Sequence, residues 1–215
     1  MSGGGNTISV RADADPADAG AIERSALVVA SGGVLVYPTD TIYGLGCDAG
    51  NREAVERIYE IKHRPASMPM IVLVGSVEEA AELASEVSPT VAELLTACWP
   101  GPLTVLLRAN ASRYPWLSAG SGKVGVRFPK HPFCTQLMAA AKRPLLSTSA
   151  NLSGEPYVSD VQALKALFSV RVDLFVDAGT LPPSLPSTIV DGSGDRPVLV
   201  REGAMMKGPL ERFFA

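Results

Sequence analysis

Short, β-branched apolar runs recur along the chain and constrain its fold most. Val34 to Tyr37, Met70 to Val74, Leu103 to Leu107, Val124 to Phe128, Leu145 to Thr148, Val172 to Val176, Thr188 to Val190 and Val198 to Val200 are each too short for a stable helix. Val34-Leu35-Val36-Tyr37 is apolar on both faces, as a strand buried between two layers must be. Most of these runs are separated by segments with helical periodicity. Asn51 caps one whose apolar positions are Ala54, Val55, Ile58 and Ile61. Ser76-x-x-Glu79 is a capping box for another, running through Val87, and Ser88-Pro89 opens a third, through Ala97. Pro132 to Ala141 and Asp160 to Phe168 read as two more, and Asp15-Pro16 starts a first helix that Ser31-Gly32-Gly33 ends. The fold class is therefore α/β: one domain with a twisted mixed sheet covered by helices, mixed because no helices separate the last strands.

Of 215 residues, 47% are apolar, enough for a sizeable core. The first ten residues read as a flexible terminus, residues 11–206 as the domain and 207–215 as a tail. The net charge of -3 and pI near 5.5 exclude a global positive field for nonspecific nucleic-acid binding, so any anion site must be local. Three widely spaced cysteines fit neither a disulfide framework nor a zinc knuckle, and suit a reducing compartment. With no signal-like start and no spanning apolar stretch, the expectation is a cytoplasmic protein with no membrane contact.

Familiar catalytic signatures fail. Gly120-Ser121-Gly122-Lys123 lacks the earlier glycine and the trailing hydroxyl of a phosphate loop, and Gly44-x-Gly46 lacks the third glycine of a dinucleotide turn. No nucleophile elbow occurs, and two histidines cannot support a histidine-rich zinc site.

Other groups do point to chemistry. In Lys62-His63-Arg64-Pro65, proline biases Arg64 toward extended backbone. Residues two apart then project to one side, so Lys62 and Arg64 converge on one anion; the alternative is two solvated charges at a helix end. Hydroxyls and an amide crowd the carboxyl end of a strand in Ser147 to Gly154, where ligands bind in open α/β sheets, or where a turn satisfies its own backbone. The same pair of readings applies to Pro186-Ser187-Thr188. Arg127 and Arg201 end apolar strands and need partners, either a bound anion or Asp177, Asp191 or Glu202. Thr39 to Gly46 reads as a hydroxyl-rich loop, and Trp99-Pro100-Gly101-Pro102 as a scaffold corner.

Taken in order, Tyr37-Pro38-Thr39-Asp40-Thr41-Ile42-Tyr43-Gly44-Leu45-Gly46, Ile61-Lys62-His63-Arg64-Pro65, Trp99-Pro100-Gly101-Pro102-Leu103-Thr104, Val126-Arg127-Phe128-Pro129, Ser149-Ala150-Asn151-x-Ser153-Gly154 and Pro186 to Asp191 resemble the YrdC-like family of threonylcarbamoyl-AMP synthases, in its short form. The resemblance implies a positively lined cavity that takes ATP, L-threonine and bicarbonate and releases threonylcarbamoyl-AMP, the first step toward N6-threonylcarbamoyladenosine in tRNA. It assigns catalysis to Lys62 and Arg64, threonine binding to Thr41, Arg127, Ser149 and Ser187, and ATP binding to Lys62, Arg64, Asn151, Ser159 and Arg201. Lys62 is expected to stand exposed in the cavity, dispensable to packing. Mg²⁺ is expected to arrive with ATP, on phosphate oxygens and without a protein metal site. A tRNA threonylcarbamoyl transferase is the implied transient partner, with weak RNA binding. Met68, Tyr157-Val158-Ser159 and Glu202 depart from the family's pattern. The alternative is a YrdC-like paralogue that binds RNA or nucleotide without making the intermediate; a carbamoyl-transfer module of a hydrogenase-maturation protein is disfavoured because its companion domains do not appear.

Overall fold

The computed structural model describes residues 6–11 and 17–214. In chain order the strands are β1 (Thr7–Ser9), β2 (Leu35–Tyr37), β3 (Gly44–Asp48), β4 (Ile71–Leu73), β5 (Ala84–Glu86), β6 (Leu103–Ala109), β7 (Lys123–Arg127), β8 (Leu145–Ser149), β9 (Leu174–Asp177), β10 (Thr188–Asp191) and β11 (Val198–Arg201). The helices are α1 (Ala19–Ala30), α2 (Arg52–Lys62), α3 (Val77–Leu83), α4 (Pro89–Cys98), α5 (Pro132–Ala141) and α6 (Val161–Phe168). All the strands join one mixed sheet in the order β1-β9-β2-β3-β8-β4-β7-β6-β10-β11, with β5 on the flank of β6. The pairs β1/β9, β2/β9, β4/β7 and β6/β10 are parallel.

Strand alternation divides the core in two. Leu35, Tyr37, Leu73, Leu145, Leu174 and Val176 pack with the buried faces of α1 and α5, whereas Val34, Val36, Val72, Leu146 and Phe175 pack on the opposite side with α2, α3, α4 and α6. Successive residues of each strand thus feed different cores, which is why the sequence reads as apolar on both faces. The caps at Asn51, Ser76, Ser88 and Asp160 each accept a hydrogen bond from the first turn they precede. α1 is capped by Asp18, whose Oδ1 accepts from Ala21 N at 2.8 Å; the Asp15-Pro16 start signal lies outside the described residues.

Three strands differ from the sequence expectation. β1 lies within the stretch read as a flexible terminus, and it is held parallel to β9. The helix expected to run through Val87 stops at Leu83, because Ala84–Glu86 pairs antiparallel with the end of β6. β3 occupies part of the expected loop: Gly44 and Gly46 lie beneath the buried Tyr37 ring, which fills the space their side chains would take. A Cβ on Gly46 would lie 2.6 Å from Leu146 O and 2.9 Å from Tyr37 Cε1. Gly46→Ala is expected to destabilise the fold by about 3 kcal/mol, since a backbone carbonyl cannot step aside. A urea midpoint equal to wild type would contradict this. The expected tail also packs: Gly208–Phe213 forms a 3-10 turn that buries Leu210 and Phe213.

Candidate functional site

On the face that carries α1 and α5, the helices cover the sheet as far as Leu73 of β4 and leave β7, β6, β10 and β11 bare. The bare half floors a hollow of about 710 Å³. Strand alternation again selects the lining: Leu103, Val105, Leu107, Val124 and Val126 go to the core, while Thr104, Leu106, Lys123, Gly125 and Arg127 face the hollow. The floor is apolar at its centre, where Ile71, Gly125 and Leu106 stand side by side in register, and polar around its edge.

Arg127, 5% exposed, ends β7 and pairs with Asp40 Oδ1 at 2.5 Å, while its Nη1 donates to Thr41 Oγ1 at 3.1 Å. Asp40 is therefore its partner, and not Asp177, Asp191 or Glu202. Asp177 pairs with Lys165, and Asp191 with Lys123. Thr39 Oγ1 organises the loop by accepting from Thr41 N and Ile42 N and bonding Ile42 O, which fixes Thr41 beside the guanidinium. Arg127 Nε is buried without a hydrogen-bond partner.

Lys62 differs most from expectation. It is 1% exposed and stands behind the wall, where Nζ donates to Ser149 O at 2.5 Å, Asn151 O at 2.6 Å and Asn151 Oδ1 at 3.2 Å. Burial, reinforced by Arg64, lowers its pKa to about 8. The extended geometry expected for Lys62 and Arg64 is absent, because His63 ends α2 in the left-handed conformation at φ 51°. Arg64 does reach the lining, but its Nε and Nη2 donate to Met68 O at 3.1 Å and Pro69 O at 2.9 Å. Lys62 thus holds the turn that presents Ser149 and Asn151, whose own side chains bond each other at 2.5 Å.

Across the floor, Ser187 Oγ shares a 2.8 Å hydrogen bond with Thr104 Oγ1, and Arg201 Nη2 donates to Ser187 O at 2.8 Å. No ion pair joins Arg201 to Glu202 among the described residues. Thr41, Arg64, Arg127, Ser149, Asn151, Ser187 and Arg201 all line the hollow; Ser159 is exposed and outside the lining. Residues that sequence reasoning did not assign to the site are Asp40, Thr104, Lys123, Ser147 and Tyr157. Thr104 and Lys123 could have been found from strand alternation with Arg127 once β6 and β7 were paired.

The lining contains four cations and no carboxylate among the described residues. Arg127 and Lys123 are neutralised by Asp40 and Asp191, whereas Arg64 and Arg201 are held only by carbonyl oxygens. Uncompensated positive charge therefore sits at the latter two, whereas Arg127 can offer only hydrogen-bond donors on an already paired guanidinium. No cluster of histidine, cysteine or acidic side chains suited to a metal occurs among the described residues, and none of their helices is long and apolar enough to cross a membrane.

Comparison with known proteins gives a consistent relationship. The family model Sua5/YciO/YrdC, described as telomere recombination, matches residues 28–203. A threonylcarbamoyl-AMP synthase from Pyrococcus abyssi is 34% identical over 88% of this chain, which spans 55% of that relative's length. One from Xanthomonas euvesicatoria is 36% identical over 79% of this chain and 92% of its own. The crystal structure of P. abyssi Sua5 complexed with L-threonine superposes with a TM-score of 0.89 at 31% identity, covering 96% of this chain and 60% of that one.

Proposed function

The chain belongs to the Sua5/YciO/YrdC family, and from that premise we propose that it makes L-threonylcarbamoyl-AMP and pyrophosphate from ATP, L-threonine and bicarbonate. It would act as a nucleotidyltransferase in the cytoplasm, with the product passing to a separate transferase that modifies tRNA. The observation that carries this reading is the convergence of Thr41, Arg64, Arg127, Ser149, Asn151, Ser187 and Arg201 on one hollow, although they are scattered from position 41 to 201.

The geometry suggests a division of labour. Arg127, with Thr41 beside it, suits the threonine carboxylate; Ser187, braced by Thr104, suits the hydroxyl or amine. Arg64 and Arg201 suit phosphates, and reaching them requires Arg64 to exchange carbonyl partners for phosphate oxygens. Threonine's amine attacks the carbon of bicarbonate with loss of water to give N-carboxythreonine. A carboxylate oxygen of that intermediate then bonds the α-phosphorus, the bond to the bridging oxygen breaks, and pyrophosphate leaves. Positioning three reactants and countering phosphate charge are the services required, and no covalent enzyme intermediate is needed. Because the lining carries no carboxylate, Mg²⁺ would be held on the phosphates and water.

Pyrophosphate release by the purified protein tests the proposal. Release is expected only when ATP, threonine and bicarbonate are all present. Release indifferent to threonine or bicarbonate, or none at all, would sink it; RNA retention with a steep salt dependence would then favour the binding paralogue.

A further inference from the structure

We propose that Tyr157 is the platform on which the nucleobase of the substrate nucleotide stacks, making it a specificity residue. The inference rests on the adenylylation reading and extends it to the base. Tyr43 and Tyr157 are the aromatic residues among the described lining. Tyr43 is 0% exposed, and its hydroxyl donates to Gly179 O and accepts from Ala178 N, so it offers no ring face to a ligand.

Tyr157 is half-buried on the wall that also carries Ser149 and Asn151. Its hydroxyl accepts from Tyr43 N at 3.0 Å, and its ring packs partly against the core, so the ring is set before any ligand arrives. A base stacked there gains a π surface at little conformational cost, because a tethered tyrosine has few rotamers left to lose. The other apolar side chains of the lining, such as Met68, Ile71, Leu106 and Ile189, are aliphatic, so they offer a base contact area but no π face.

Calorimetric titration of the full chain with MgATP and with magnesium tripolyphosphate tests this, using wild type, Tyr157→Leu and Tyr157→Phe, with melting temperatures recorded for each. Wild type is expected to bind ATP more tightly than tripolyphosphate. Tyr157→Leu should weaken ATP about ten- to a hundredfold and leave tripolyphosphate within about twofold. Tyr157→Phe loses the same hydrogen bond to Tyr43 but keeps the ring, and should retain ATP affinity within about twofold. Equal weakening of both ligands in Tyr157→Leu, or equal loss of ATP in the Phe and Leu variants, would reassign Tyr157 to holding the loop and overturn the proposal. Equal wild-type affinity for the two ligands would also overturn it. If wild type binds neither ligand, the nucleotide reading itself falls and this inference with it.

Discussion

Arg127→Ala is expected to lose both stability and efficiency with threonine. Asp40 is only 11% exposed, and removing its guanidinium partner leaves a largely buried carboxylate with one backbone donor, Lys130 N, for compensation. Breaking such a pair from one side costs about 3–5 kcal/mol. The catalytic effect is separate: losing a charge-assisted contact to the threonine carboxylate should lower kcat/KM for threonine by about ten- to a hundredfold. The double variant Asp40→Asn/Arg127→Met separates the two, because it removes the orphaned charge and should recover most of the urea midpoint without recovering threonine use. An alanine variant that melts like wild type would mean the ion pair carries no stability, and unchanged threonine dependence would make Arg127 purely structural.

Lys62→Met should be nearly as severe, for a different reason. Its chain fills the same space, but Ser149 O and Asn151 O lose the only side-chain donor they share, at a cost of about 2–6 kcal/mol. The Ser149–Asn151 turn then loses its anchor, and a displacement of about 1 Å at a positioning residue is enough for a hundredfold fall in pyrophosphate formation. The native lysine also makes the rate depend on pH. The ammonium has a donor for each of its three acceptors, whereas the neutral amine has two. With the pKa lowered to about 8 by burial, the rate should fall as pH rises through 8, well before an exposed lysine would titrate. A rate flat to pH 10 would remove the ammonium from the mechanism. Sequence alone suggests a catalytic lysine exposed in the cavity and dispensable only to packing; its burial behind the wall reverses the expectation about packing and exposure.

The legible parts of the fold were those governed by local physics. β-branched runs and Ser, Asn and Asp caps mark their elements because each depends on neighbours within a few positions. β3 was opaque because its glycines read as a loop until the Tyr37 ring is laid across them. β5 looked helical because only the far end of β6 gives Ala84–Glu86 a reason to extend. The site divides in the same way. The residue types and their strand-end positions were visible, but Asp40 as partner to Arg127, 87 positions away, was not. Lys123 lies in a segment that fails as a phosphate loop and still enters the hollow, because β7 begins there and alternates with Arg127.

Strands β6, β7 and β10 give one set of side chains to the interior and the interleaved set to the open face. Substitutions at Thr104, Leu106 or Ile189 can therefore reshape what the molecule accepts while the packed layer beneath keeps its own side chains. Variation confined to those alternate positions is expected to yield mostly folded proteins with altered ligand preference, a latitude that a pocket walled by interior residues does not have.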